Sequence, residues 1–196
     1  MRPRRRPVTM PVCFFGFRSP YSRLGLHKLA RAGVECDLHP FTGPPEGVAF
    51  LNPTDSPPKL KYYAHDAPRM TALMRLPMVL PDPFETDYKP ANRAFYLAKA
   101  EGQAMDFALA VSDARWGEGR DIADPDVLRD CADACGLSGL IDRVEAESDR
   151  IADAAAETRA LVEKHDVFGV PFLIDGAEPY WGHDRFDLFL ERRGKS

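Results

Sequence analysis

Val12-Cys13-Phe14-Phe15-Gly16-Phe17-Arg18-Ser19-Pro20-Tyr21-Ser22 is the stretch on which the reading of this chain turns. Its first six residues form an almost unbroken apolar run, the pattern of a strand covered on both faces. We assign the strand to residues 10–17. Ser19-Pro20 follows as a helix start, with a capping hydroxyl and then a proline whose missing N–H costs nothing in the first turn. Leu24, Leu26, Leu29 and Ala30 continue at helical spacing over 20–32, and Gly33 is the expected C-terminal cap. Val34 to His39 partly alternates and reads as a second strand. The unit is β-α-β, which should be right-handed with parallel strands.

The far end of the chain supplies a second signal. Phe168-Gly169-Val170-Pro171-Phe172-Leu173-Ile174-Asp175-Gly176 reads as a Pro-initiated strand running to Asp175, and Asp175-Gly176 is a hairpin turn. Glu178 to Trp181 would be a short fourth strand. A last helix from His183 onward would bury Phe186, Leu188, Phe189 and Leu190. A strand, an x-P-x-x turn onto a helix and a late G-V-P strand together resemble the thioredoxin fold. Redox members carry C-x-x-C in that turn. Here it is S-P-Y-S, so the disulfide cannot form. What the turn retains is a hydroxyl at a helix N-terminus, a place suited to holding an anion such as a thiolate. The same resemblance implies that Pro171 is cis, faces the turn, and leaves the Val170 main chain available to an extended peptide.

Between these ends the character changes. Residues 40–58 are rich in proline and glycine, a loop too long for a plain connector. Six helices are expected after it, at 58–75, 89–102, 103–115, 124–135, 138–146 and 148–165. Asp124-Pro125 is a clear start signal, and Ser148 and Asp149 are candidate caps for the last helix. Ile151, Ala155, Leu161 and Val162 would be its buried stripe. The expected class is α/β, a thioredoxin-like fold with an all-helical insertion domain. Residues 8–50 and 149–196 would form the thioredoxin-like domain and 51–148 the insertion.

Composition narrows the function. The 196 residues are 44% hydrophobic with a net charge of -4, enough for a sizeable core. Mild acidity argues against nucleic acid, and Arg2, Arg4, Arg5 and Arg6, broken by Pro3 and Pro7, read as a frayed arm. No run suggests a signal peptide or a membrane span, so the expected location is the cytoplasm. The four cysteines, Cys13, Cys36, Cys131 and Cys135, read as reduced core thiols. No metal site is expected.

Each candidate site residue has a plainer reading beside the functional one. Ser19 could be a simple N-cap. In Trp181-Gly182-His183-Asp184-Arg185, His183 and Asp184 open a helix whose free amides suit a carboxylate, and Asp184 could pair with an ammonium. Capping and a surface charge explain the same residues. Asn52 could contact a ligand backbone or only shape a turn, and Lys59 and Lys61 could simply be solvated. Asp66 and Arg69 lie three apart on one helix, which also holds Arg75, and a local ion pair is the default. Trp116 could pack or stack on a substrate.

These residues match a family. The chain resembles the kappa-class glutathione transferases and, more closely, the 2-hydroxychromene-2-carboxylate isomerases. The match comprises Ser19–Ser22, the N-x-x-x-x-P-P-K segment Asn52–Lys59 and the Y-x-x-x-D-x-x-R run Tyr62–Arg69. It continues with Leu76-Pro77, Ala91–Arg93, Trp116–Pro125, Phe168–Pro171 and Trp181–Arg185. The resemblance implies a homodimer and glutathione as cofactor, with Ser19 on its sulfur, Val170 and Pro171 at the cysteinyl backbone, His183 and Asp184 at the γ-glutamyl end, and Asn52 along the tripeptide. It implies an isomerase in aromatic compound metabolism, acting on an unsaturated aromatic keto acid or enone. Reversible thiolate addition, bond rotation or ring opening, and elimination would make up the reaction. Arg18, Tyr21, Lys61, Tyr62 and Trp116 are the substrate candidates, and Arg18, Lys61 and Tyr62 could stabilise an enolate. Three positions depart from the family pattern: Gly16 stands where the strand usually has Asp, Arg18 is unusual beside the serine, and His183 replaces a common Gln or Ser. A transferase that consumes the thiol, or a binding protein without chemistry, uses the same residues.

Overall fold

A computed structural model describes residues 10–50 and 55–194. The elements run β1 (Val12–Phe15), α1 (Pro20–Arg31), β2 (Asp37–Pro40), α2 (Pro57–Leu73), α3 (Lys89–Ala100) and α4 (Ala104–Trp116). They continue α5 (Pro125–Ala134), α6 (Leu140–Arg143), α7 (Ser148–Lys164), β3 (Phe172–Asp175), β4 (Glu178–Trp181) and α8 (Arg185–Gly194). The strands form one mixed sheet in the order β2-β1-β3-β4. β1 pairs parallel with β2 and antiparallel with β3, with Cys13 opposite both Leu38 and Leu173. β3 and β4 are antiparallel across a two-residue turn, where Gly176 has φ +64.

The apolar run of β1 is explained by burial on both faces. Cys13 and Phe15 join the larger core with Leu26, Leu29, Leu173 and Phe186, and that core continues through Phe95, Phe107 and Val111 of α3 and α4. Phe14 points the other way, to Val162, Val167, Phe172 and Ile174. The helical segment between β2 and α7 therefore shares the core of the sheet.

β1 and β2 are shorter than the apolar pattern predicts. Gly33 has φ +63, its N–H bonds Ala30 O at 3.0 Å, and Val34 N–H bonds Leu29 O at 3.0 Å. This is the paired Schellman arrangement that ends a helix. It draws Val34 into the turn, so β2 begins only at Asp37 and Cys36 precedes it. Asp124 caps α5, accepting from Asp126 N–H at 2.9 Å. Ser148 and Asp149 do not cap α7: the helix starts at Ser148, and Glu147 stands at the cap position without a side-chain bond. α2 ends at Leu73, leaving Arg75 outside it with φ 56. The last helix begins at Arg185 rather than at His183, and Leu188 is exposed, because α8 turns only Phe186 and Phe189 fully inward. Among the described residues, no helix is long and apolar enough to cross a membrane.

Gly25, in the middle of α1, permits a close approach of α8 and of the loop before β3. A Cβ there would lie 2.9 Å from Phe186 Cε2 and 3.3 Å from Pro171 Cβ. Alanine ordinarily favours a helix over glycine by about 1 kcal/mol, whereas over-packing a core costs about 1–3 kcal/mol. Because Phe186 is completely buried, the steric term should win. Gly25→Ala should lower the urea midpoint, and Gly25→Val should lower it further. An unchanged or raised midpoint for Gly25→Ala would show that Phe186 and Pro171 can move aside.

Candidate active site

The β1–α1 turn is built by two serines with different tasks. Ser22 is fully buried, and its Oγ accepts from Gly16 N–H at 3.1 Å. This bond ties the end of the strand to the first turn of α1. Ser19 is only partly buried and is the N-cap of α1, with Oγ accepting from Ser22 N–H at 3.2 Å. Capping uses a lone pair, so the Ser19 hydroxyl proton remains to be donated. The side chain that caps the helix thus keeps a donor to offer. The dipole of α1 adds positive potential at the same place.

Three other segments converge on this turn. The Val170-Pro171 bond is cis. Val170 lies against Gly16, where a Cβ would come within 3.3 Å of Val170 Cγ2, and Pro171 lies against Gly25. Pro171 O accepts from Gly182 N–H at 2.9 Å, which links this loop to the turn into α8. Gly182 has φ +95, and a Cβ there would meet Asp184 Oδ1 at 2.6 Å, so only glycine fits. That turn places the His183 ring flat on the Tyr21 ring, with centroids 5.3 Å apart and planes 6° from parallel.

Tyr21 in turn fixes α2. Its hydroxyl donates to Asp66 Oδ2 at 2.7 Å, while Tyr62 donates to Asp66 Oδ1 at 3.2 Å and Arg69 donates to the same oxygen. Asp66 and Arg69 do form the expected ion pair, but the carboxylate is also the shared acceptor for two tyrosines. Burial alone would raise the Asp66 carboxyl; the donors Tyr21, Arg69 and Tyr62 outweigh it and hold the group below the usual carboxylate range. Burial, then the bond to Asp66, pushes the Tyr21 phenol far up. It therefore stays protonated and serves as a donor. Tyr62 itself is mostly exposed, so its ring stands at the rim.

His183 is the unusual member. It is 6% exposed, yet its Nδ1 has no hydrogen-bond partner. Buried polar atoms are nearly always paired, and this nitrogen is an exception. Burial, then the Lys28 ammonium, lowers the imidazole pKa, against Asp184, Asp187 and Asp66. Lys28 donates to His183 O at 3.0 Å and pairs with Asp187 at 2.6 Å. Asp184 is exposed and bonds Arg185 at 2.9 Å.

The remaining candidates are placed differently. Arg18 pairs with Glu85 at 2.6 Å. Lys61 is exposed on α2. Trp116 is packing and not a stacking surface: it is 6% exposed, and its indole N–H donates to Phe17 O at 2.9 Å. Asn52 lies outside the described residues. Sequence spacing had no means of finding Glu85 on Arg18, Lys28 on the His183 carbonyl or Tyr21 on Asp66, which lie 67, 155 and 45 residues from their partners. Two cavities of about 340 and 270 Å³ lie elsewhere, against α3, α5 and α6, and none of these residues lines them. The cysteines are free, and burial pushes the Cys131 thiol up to about 12, so it is protonated and inert.

Comparison with known proteins agrees with this fold. Residues 12–193 match the DSBA-like thioredoxin domain. A 2-hydroxychromene-2-carboxylate isomerase of Sphingobium xenophagum is 32% identical over 91% of this chain and 94% of its own. One from Pseudomonas putida is 30% identical over 93% of each. A solved 2-hydroxychromene-2-carboxylate isomerase superposes with a TM-score of 0.75 at 25% identity, covering 95% of each chain. The cytosolic disulfide reductase DsbM of Pseudomonas aeruginosa shares the fold, with a TM-score of 0.68 at 19% identity over 96% of this chain and all of that one.

The buried imidazole gives the site a pH signature. A histidine whose folded pKa is lowered binds its proton more weakly than the unfolded chain does. Its contribution to stability is complete above the unfolded value of about 6.5 and is lost as pH falls towards the folded pKa. The melting temperature should therefore drop between pH 7 and 5, and His183→Gln should show a smaller drop. Equal slopes in the two proteins would mean that His183 is not held neutral.

Proposed function

We propose that this chain, which belongs to the DSBA-like thioredoxin domain family and within it to the group of 2-hydroxychromene-2-carboxylate isomerases, is a glutathione-dependent isomerase of an unsaturated aromatic keto acid or related enone. The observation that carries the reading is the hydroxyl of Ser19: an N-cap with its proton uncommitted, at the position of the redox cysteine, beside a cis-proline. A serine there cannot form a disulfide. It can hold a sulfur that another molecule brings.

The residues around Ser19 fit glutathione. The open Nδ1 of a buried His183 suits the acidic end of such a peptide, as does the N-terminus of α8 that follows it. Asp184, exposed beside it, suits an ammonium. Val170, just before the cis bond and against the β1–α1 turn, suits an extended peptide backbone. When bound, glutathione supplies a nucleophilic sulfur that can add reversibly to a conjugated double bond.

The protein's own part is electrostatic and positional. Ser19 donates its proton to the sulfur, and the dipole of α1 favours the thiolate over the thiol. The Tyr21–Asp66 bond holds α2 against α1, so that Tyr62 stands at the rim with its hydroxyl already oriented by Asp66. Arg18 is the donor with N–H groups to spare where negative charge develops on an enolate oxygen, and Tyr62 could donate there only by giving up its bond to Asp66. Lys61 is a further cation on the same helix.

The test is a titration of glutathione into the protein, followed by calorimetry and by thiolate absorbance near 240 nm, with Ser19→Ala alongside. The native protein should show saturable binding and a thiolate band at neutral pH. Ser19→Ala should lose most of the band and about 10²-fold in turnover of a chromene carboxylate, the scale of one removed donor. The thiol should be returned undiminished. Full activity in Ser19→Ala would remove the serine from the mechanism, and the absence of any glutathione binding would overturn the cofactor assignment.

A further inference from the structure

The Arg18–Glu85 pair joins the residue before Ser19 to the segment between α2 and α3. Exposed ion pairs ordinarily link two loose side chains and contribute little. Here both backbones are held. On the Arg18 side, Trp116 donates to Phe17 O at 2.9 Å and Ser19 N–H bonds Gly16 O at 2.9 Å. On the Glu85 side, the guanidinium of Arg115, which is fully buried, donates to Pro83 O at 2.8 Å and to Phe84 O at 2.5 Å. A second buried arginine, Arg23, donates to Pro77 O at 2.7 Å and fixes the start of the same segment.

The pair itself is one-pronged. A single Nη2 donor meets Glu85 Oε1 at 2.6 Å, while a guanidinium carries five N–H donors in a planar fork. Arg18 is about one-third exposed and Glu85 about half. Apolar surface stands on the segment that carries Glu85: Phe84 is 42% exposed, and Leu80 is exposed as well. A cation with spare donors, next in sequence to the proposed sulfur-holding serine and facing a segment with an exposed aromatic ring, is matched by a planar aromatic acid.

We propose that Arg18 is the carboxylate-recognising residue of the acceptor pocket and that Glu85 tunes its selectivity for charge. This rests on the reading of the cleft given above. A carboxylate engages the part of the guanidinium fork that Glu85 leaves open, and the neighbouring Glu85 charge weakens that attraction. Glu85 therefore sets how strongly an anionic acceptor is preferred over a neutral one of the same shape.

The test is direct binding, by calorimetry, of trans-cinnamate and of its neutral amide to the full chain at low salt. The native protein should bind the acid more tightly than the amide, and added salt should erode the difference. Glu85→Gln should tighten the acid about threefold, the scale of one exposed charge contact, and leave the amide unchanged. Arg18→Gln should weaken the acid about fivefold or more and also leave the amide unchanged. Equal binding of acid and amide by the native protein, or an Arg18→Gln variant that binds the acid as well as the native protein does, overturns the proposal. Glutathione binding, measured on the same variants, separates the two readings. Retained glutathione binding with no acid preference sinks only the role of Arg18. Lost glutathione binding in the native protein sinks the cofactor assignment, and the acid preference stands or falls on its own titration.

Discussion

The close approach of α1 to the loop before β3 is the constraint on which the site depends. Two glycines permit it. Gly16 leaves room for Val170, and Gly25 leaves room for Pro171 and for Phe186 of α8. Segments about 150 residues apart in sequence thereby meet at the N-terminus of one helix. A side chain at Gly25 would press on Phe186 and Pro171, the contacts that keep the loop and the last helix against α1, whereas one at Gly16 would require only a slight shift of the Val170 side chain. The close packing needed for the core is the same packing that assembles the site, so stability and function here draw on one set of contacts.

A second layer of order comes from Asp66. One carboxylate gathers Tyr21, Tyr62 and Arg69 and connects the helix that begins at Ser19 with the first helix after the proline-rich loop. The compensation is electrostatic. Burial penalises the charge, and three donors restore it. Tyr21 then works on both of its sides, as a donor to Asp66 through its hydroxyl and as a flat support for His183 through its ring. An imidazole held this way cannot turn freely to find a partner, which accounts for a buried nitrogen that remains open.

Much of the fold was legible because its signals are local. Asp124-Pro125 starts a helix wherever it occurs, and Asp175-Gly176 turns a hairpin; β3 and β4 came out at the residues expected. The errors fell where a local pattern met a non-local decision. The position of Val34 suggested strand, but its N–H closes the last turn of the helix before it. Leu188 is apolar but lies about 200° round α8 from Phe186, so it faces away from the surface that Phe186 and Phe189 bury. The site was legible in part for the same reason. Ser19 and Val170-Pro171 announce themselves within a few residues. The partners that fix their surroundings, Glu85 on Arg18 and Lys28 on the His183 carbonyl, lie 67 and 155 residues away, and no spacing rule reaches that far.

The exchange of a sulfur for an oxygen at Ser19 changes what the helix N-terminus is for. In a dithiol turn, the dipole and free amides stabilise a thiolate that belongs to the protein, and the nearby second sulfur makes it an electron carrier. In this chain the second position, Ser22, is buried and fully engaged in holding Gly16, so no group remains there to resolve a mixed disulfide. The first position has a proton to give and no electrons to exchange. In the proposed function the same field acts on an anion supplied from outside, and redox chemistry gives way to the binding of a visiting nucleophile. The helix and the cis-proline stay in place. What differs, on that proposal, is which molecule carries the sulfur.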